Sequence, residues 1–398
     1  MKTLKLVPGV LAILLAACGG TAVPASSPAA PSTPKPAISA SAKPAGSAAQ
    51  KAAAPASGGA SASLQQIIEG AKKETLLKGV WSEASFGGSQ GFQELLNGMN
   101  KKYGLNIKGQ FTPGPDMQAL MGKLAQETAA GQPATTDVYM GNSQAMQQAI
   151  KPNALKPVDW KAIVDRPVPG EQGFDPVAPG GIGIAIATSV TGVTYNTKAI
   201  PENQVPHKLN DLLDPRWKGK IASTPYAAGF RDFAVKDLLG KDFVVDYVKK
   251  FSNQVGGLIR CGEYDRLTSG EFVMLALDCG HDGAFSAQQQ GAPIGHVVLD
   301  DATSLHMRYA GVPATSSSPN AAALFVAYVL SPDGQKQIYK TEGMDLHTFS
   351  DSQVKPLIDK VRSAGAKVWA DNVQNLEAAT GYAETQKQLQ DILQGASK

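Results

Sequence analysis

The 398-residue chain has three cysteines, five histidines and few aromatic residues, 7% in all. No acidic residue precedes Glu69, and the five charged residues before Ser63 are all lysines. The overall charge of +3 therefore misdescribes the body of the chain. Taking those five lysines from the 37 basic residues leaves 32 against 34 acids, a net −2. With no basic stripe, nucleic acid is excluded as a partner. No apolar run after the first fifteen residues is long enough to cross a bilayer. Apart from His281, the histidines show no metal-ligand spacing: His207 sits in a Pro-flanked stretch, His296 in a strand-like run, and His306 and His347 are isolated.

What is present begins at the amino end. Lys2 and Lys5 precede an apolar run, residues 6–15, followed by Leu15-Ala16-Ala17-Cys18. A positive end and about ten apolar residues make a signal h-region, too short for a spanning helix. Small residues before a cysteine have the form of a bacterial lipobox, so residues 1–18 read as a lipoprotein leader with Cys18 as the acylated residue. The anchor would hold the protein on the cell membrane, facing the periplasm or the exterior; each buried CH₂ is worth about 0.8 kcal/mol. Residues 19–62 are almost wholly Ala, Pro, Ser, Gly and Thr. They offer no core and read as a disordered, Pro-stiffened tether.

About 335 residues remain, more than one compact core usually holds, which favours two lobes. Ser63-Leu64-Gln65-Gln66 reads as a capping box opening the folded part. Strand-like runs at residues 78–81, 105–111 and 136–140 alternate with helical patterns, among them those capped by Ser89 and Asp116. Later strand-like runs fall at 182–187, 192–196, 220–223, 258–260, 272–277 and 294–299, with a helix opening at Asp232. The last hundred residues read as mostly helical, including a Ser331-Pro332 helix start. This alternation predicts α/β lobes, each a mostly parallel sheet flanked by helices. Ligands of such sheets bind outside the carboxyl ends of strands, where helix N-termini attract anions. The loops at residues 82–89, 141–143, 224–231 and 279–282 occupy that position, and together make a cleft. With Cys18 acylated, Cys261 and Cys279 are left as an even pair in an extracytoplasmic body, which suggests a disulfide.

Several stretches then point to a family. They are Gly192-Val193-Thr194-Tyr195-Asn196-Thr197, the Leu-Leu-Asp-Pro-Arg-Trp-Lys-Gly-Lys-Ile run at 212–221, Ser269-Gly270-Glu271, and residues 320–340 with their Ser-Pro-Asp-Gly-Gln helix start. In this order the chain resembles type II periplasmic substrate-binding proteins of ABC importers, nearest the ferric-ion-binding branch. The resemblance implies two lobes joined by crossover strands: residues 63–187 with 305–398, the latter helical, in lobe 1, and 188–304 in lobe 2. It also implies a monomer that closes by a hinge motion over one small molecule or ion and docks on a permease, without a cofactor. The branch's iron ligands are missing. The first loop, Trp81-Ser82-Glu83-Ala84-Ser85, has no histidine; the glutamate position falls near Asn142; and the tyrosine pair falls on Gly280-His281 or His281-Asp282.

The expected ligand contacts are Glu83, Ser85, Asn142, Ser143, Ser189, Tyr226, Gly229, Arg231, Arg260, His281 and Asp282. Gly229 would admit close backbone approach, with Arg231 or Arg260 as counter-charge to an anionic organic solute. Trp81, Phe86, Tyr226 and Phe230 are either apolar walls or core. Glu83, His281 and Asp282 form an alternative metal set, since imidazole and carboxylate suit several metals. Gly87-Gly88-Ser89-Gln90-Gly91 matches a nucleophile elbow and leaves a lipid-anchored hydrolase using Ser89 as an alternative of another class.

Overall fold

The computed structural model describes residues 62–83, 85–379 and 381–396; Cys18, the leader and nearly all of the tether lie outside them. The described residues form one compact unit. Two large apolar clusters lie inside it, one built mostly from residues before Val190 and after Val298, the other mostly from residues 193–302. A smaller cluster around Tyr264 and Phe272 supports the second.

In the first lobe the strands Leu76–Trp81 and Lys108–Pro113 run parallel. Trp81 packs edge-on against Phe92 and Phe111, with centroids 5.5 and 5.1 Å apart, and Phe325 joins Phe92 from a later helix. Each such fully buried side chain contributes about 1.5–3 kcal/mol. Trp81, Phe86 and Phe230 are all buried and belong to the cores. The second lobe is a five-stranded sheet in which Ile221–Ser223, Val255–Leu258 and Met274–Asp278 are parallel. Their carboxyl ends therefore emerge on one edge.

Two long strands connect the lobes. Ile184–Val190 leads directly into Gly192–Asn196 of the second sheet. Ala302–Pro313 returns, pairing antiparallel with Ile184–Val190 and also with Tyr139–Asn142, and parallel with Lys367–Asp371. The junctions expected at 187/188 and 304/305 both fall inside these strands. The strand Ala302–Pro313 went unread although residues 304–309 alternate polar and apolar; it is buried along nearly its whole length, where neighbouring strands satisfy its backbone. Lys367–Asp371 is a second strand in a region read as helical. The last helix, Tyr382–Ala396, inserts Leu389 and Leu393 into the second core, so residues 305–398 do not all pack with the first lobe.

Local signals were mixed. Asp116 caps its helix by accepting from the Ala119 N–H, and Ser331 does the same for Gly334. Ser89 does not cap: its helix starts at Gly88, after Gly87 in the left-handed region (φ 69°). Ser63 is already inside the helix Ala62–Ala71. The strand expected at 258–260 is Val255–Leu258, and the helix expected at Asp232 begins at Ala228. Cys261 and Cys279 are joined in a disulfide. It ties the segments after two parallel strands and closes a loop of 18 residues, worth about 3 kcal/mol in the chain-entropy account. Among the described residues no helix is long and apolar enough to cross a membrane.

Candidate functional site in the interlobe cleft

The edge of the second sheet delivers Asp278, Cys279, Gly280, His281 and Asp282 toward the crossover strands. Leu277 has φ 48°, a left-handed conformation that is strained for a leucine, and it breaks the register with Gly192–Asn196. The kink re-aims the chain so that Gly280 lies over Ser189, where any Cβ would collide with the Ser189 hydroxyl. Helix His281–Gln289 then begins at the meeting point of the two lobes.

Asp282 is the centre of this meeting. Its Oδ1 accepts a short hydrogen bond from Ser189 of the first crossover strand, and its Oδ2 lies 3.4 Å from the guanidinium of Arg308 on the second. Arg308 is opposite Asn142 in one register and Ala187 in the other. Burial pushes the Asp282 carboxyl up, but Arg308, His281 and Ser189 together hold it below the usual value. His281 is spoken for at both nitrogens. Nδ1 accepts from the Val190 N–H at 3.0 Å, so Nε2 carries the proton and donates it to the Gly343 carbonyl at 2.8 Å. Burial lowers its pKa, in keeping with a neutral ring. Because Gly343 follows a first-lobe helix, this bond and the Phe285–Tyr339 ring contact, 5.8 Å apart, join the lobes across the cleft.

Glu342, at the end of that helix, accepts from the Gly87 N–H at 2.8 Å; burial raises its carboxyl pKa. The loop carrying Gly87 also carries Glu83, which accepts from the Ser89 hydroxyl at 2.7 Å and backbone at 3.0 Å; the hydroxyl bond lowers its pKa. Ser85 is half-exposed on the same loop.

Behind Asp282, Asp278 is wholly buried, with Thr194 and Tyr264 hydroxyls each donating at 2.7 Å. Burial nevertheless pushes its pKa up to about 6. His296 stands nearby with Nδ1 on Thr194; burial drives its pKa down to about 3.

The structure thus brings Ser189, His281 and Asp282 together and places Asn142 beside them by register. It sends the other expected contacts elsewhere. Ser143 donates to the Asp371 carbonyl at 2.6 Å and is buried. Asn142 uses its Oδ1 to cap a helix through the Ala145 N–H. Gly229 meets no open space: a Cβ there would stand 2.6 Å from Thr191 and 2.9 Å from Leu277. Its close approach is between helix and sheet, and the neighbouring Ala228 N–H is capped by Thr224. Tyr226 accepts from the Cys261 N–H at 2.9 Å, and Arg260 is exposed on the same rim. Arg231 turns away to Asp232 and Tyr382. Sequence reading missed Arg308 and Glu342. The available signal was a lone cation in the run His306-Met307-Arg308-Tyr309, within an otherwise uncharged, strand-length segment.

The two alternatives can be tested on this geometry. A metal needs a lone pair from His281, and neither ring nitrogen has one to spare. Paired phenolates are also missing: Tyr264 donates its hydroxyl to Asp278. The Ser89 hydroxyl faces a carboxylate, and no histidine hydrogen-bonds it among the described residues. His281, His296, His306 and His347 all have other partners.

A two-lobe α/β body with crossover strands and a charged site between the lobes defines a type II periplasmic binding protein. Residues 94–356 match the family described as bacterial extracellular solute-binding protein, and the chain belongs to that family. The Fe(3+)-binding periplasmic protein of Serratia marcescens is 28% identical over 193 residues, 48% of this chain and 49% of that relative. The match therefore spans about half of that relative's length. The periplasmic binding protein AfuA from Actinobacillus pleuropneumoniae, solved with exogenous fructose-6-phosphate, superposes with a TM-score of 0.60 at 20% identity, covering 80% of this chain and 99% of that one. The spermidine/putrescine substrate-binding protein PotD of Streptococcus pneumoniae, solved with calcium and HEPES, gives 0.58 at 15%, covering 80% and 100%. At these identities the structures bear on fold alone.

Proposed function

We propose that the protein is a lipid-anchored receptor that binds, without chemistry, a small organic solute bearing an acidic group and passes it to an ABC importer permease. The observation that carries the reading is the Asp282–Arg308 pair, held where both crossover strands meet the second lobe. Arg308 is the one arginine of this cleft that stands on a hinge strand. Asp282 is its counter-charge within the protein; a carboxylate, sulfonate or phosphate on the solute would take the same guanidinium, with Ser189 and Asn142 as further polar contacts. Exchange of an internal carboxylate for a solute anion links binding to movement of the lobe that carries Asp282. Arg308 therefore takes the role first given to Arg231 or Arg260.

The alternative of ferric ion or a metal chelate draws on the Serratia relative, but the engaged nitrogens of His281 and the missing tyrosine pair oppose it. A thermal-shift screen of carboxylates, sulfonates, phosphonates, polyamines and ferric citrate separates the two. An acidic solute that stabilises the parent but not Arg308→Gln supports the receptor reading. Stoichiometric ferric binding with charge-transfer colour, unaffected by Arg308→Gln, refutes it. Ligand at 100 times its Kd adds about 2.7 kcal/mol, so hits register clearly. The anchor is tested separately: Cys18→Ser should shift the protein out of the membrane fraction, and unchanged partitioning with normal leader cleavage would remove it from the proposal.

A further inference from the structure

Arg231, placed by sequence in the cleft, opens instead onto a different recess of about 390 Å³. None of the cleft groups Ser189, His281, Asp282 and Arg308 lines it. Its walls come from several elements: the helix Ala228–Phe233 and the turn after it as far as Lys241, Trp369 of the strand Lys367–Asp371, Asn375 and Ala378 of the helix Val373–Ala378, and Tyr382 and Thr385 of the C-terminal helix. The volume lies within the range of small-molecule sites.

The charge at this recess is unbalanced. Arg231 has an aspartate beside it, but only Nε approaches Asp232, at 3.4 Å. Asp232 is already committed: it accepts from the Tyr382 hydroxyl and the Ser304 hydroxyl and lies 3.3 Å from His306 Nε2. The guanidinium therefore has no two-point carboxylate partner, and its Nη atoms make no hydrogen bond among the described residues. Lys236 and Lys241 stand exposed on the rim, without an ion pair among the described residues. With Arg231 paired to Asp232, the two exposed lysines stand against one acid of the lining, Asp237. Trp369, Tyr382, Ala234 and Val235 supply an apolar wall next to the cations.

A forked, partly satisfied arginine with two lysines on the rim and an aromatic wall recognises a definite chemistry. We propose that this recess is a second ligand site, separate from the cleft, for a small organic anion with a flat apolar body and a phosphate or carboxylate group. The guanidinium faces the acidic group, the lysines add charge at the mouth, and Trp369 and Tyr382 cover the ring. The inference does not rest on the cleft reading.

Phenyl phosphate is the probe, with phenol and inorganic phosphate as its two halves, titrated into the purified full chain by calorimetry. Phenyl phosphate should bind at one site, with each half at least about tenfold weaker. Reversing the rim in Lys236→Glu/Lys241→Glu should weaken binding by about tenfold or more without moving the melting temperature, since both side chains are exposed. Filling the recess with Ala378→Trp should abolish it, whereas the cleft variants Arg308→Gln and Asp282→Asn should leave it unchanged. Absence of phenyl phosphate binding overturns the proposal. So does binding that survives both recess variants, or binding lost in the cleft variants alone, which would put the anion between the lobes.

Discussion

Arg308 and Arg231 each lie 3.4 Å from an aspartate, and the two pairs differ in what surrounds them. Asp282 retains 20% of its side-chain exposure and has one hydroxyl donor besides Arg308. The Asp232 side chain has no exposure, and it is enclosed by Arg231, His306 and the Tyr382 and Ser304 hydroxyls, with Asp371 on the far side of the His306 ring. The first pair can open, because water and a solute can replace its members. The second cannot open without stranding a charge. A buried charge loses hydration that its partners must replace, so the same pairing serves as an exchangeable contact in one place and a fixed brace in the other. His306 makes the brace bridge-like: Nε2 faces Asp232 and Nδ1 faces Asp371.

The comparison breaks most visibly under truncation. Asp232→Ala should destabilise the body by about 3–5 kcal/mol in denaturant unfolding, whereas Asp282→Ala should cost about 1 kcal/mol or less. Equal losses would show that the cleft pair is structural too. Next comes Asp278, immediately behind the exchangeable pair. Its folded pKa of about 6 lies above the unfolded value, so the native state binds the extra proton. Its contribution is therefore most favourable below about pH 4 and declines as pH rises through about 6, by about 3 kcal/mol in all. Asp278→Asn should remove that part of the slope from a stability–pH curve; an unchanged slope between pH 4 and 6 would mean that Asp278 stays ionised.

Arg308→Gln sharpens the functional half of the comparison. With an acidic solute from the screen, calorimetry should show roughly ten- to a hundredfold weaker binding, the equivalent of about 1.5–3 kcal/mol, and unchanged melting. Full retention of affinity would move the anion contact elsewhere. The smallest effect belongs to Ser89→Ala. Its hydroxyl serves Glu83 on an exposed loop, so stability should change by less than about 0.5 kcal/mol. Ester turnover by the parent that disappears in this variant would restore the hydrolase reading.

Sequence carried the fold far because alternating strands and helices, a Ser-Pro helix start and capping aspartates are local signals. It carried the site less well. The structure brings together Ser189, His281 and Asp282, which the sequence reading placed beside strands where such sheets bind ligands. Arg308 was missed because the strand that carries it went unread, although residues 304–309 alternate polar and apolar. Helix Ala228–Phe233 starts four residues earlier than expected, and its fourth residue, Arg231, turns to Asp232 and Tyr382. Gly229 looked like room for a ligand and is room for Thr191.

By itself the sequence determined the class: an Ala/Pro/Ser stretch too poor in large apolar groups to form a core, followed by a two-lobe α/β body that carries two cysteines. Those features depend on composition and on neighbours within a turn or a strand. Tertiary structure alone decided which charges meet. Asp282 and Arg308 are 26 residues apart, Asp232 and Tyr382 are 150 apart, and His281 reaches Gly343 across the two lobes. Such pairings are set by how strands cross and where helices land, and burial then determines which of them can exchange with solvent and which are held.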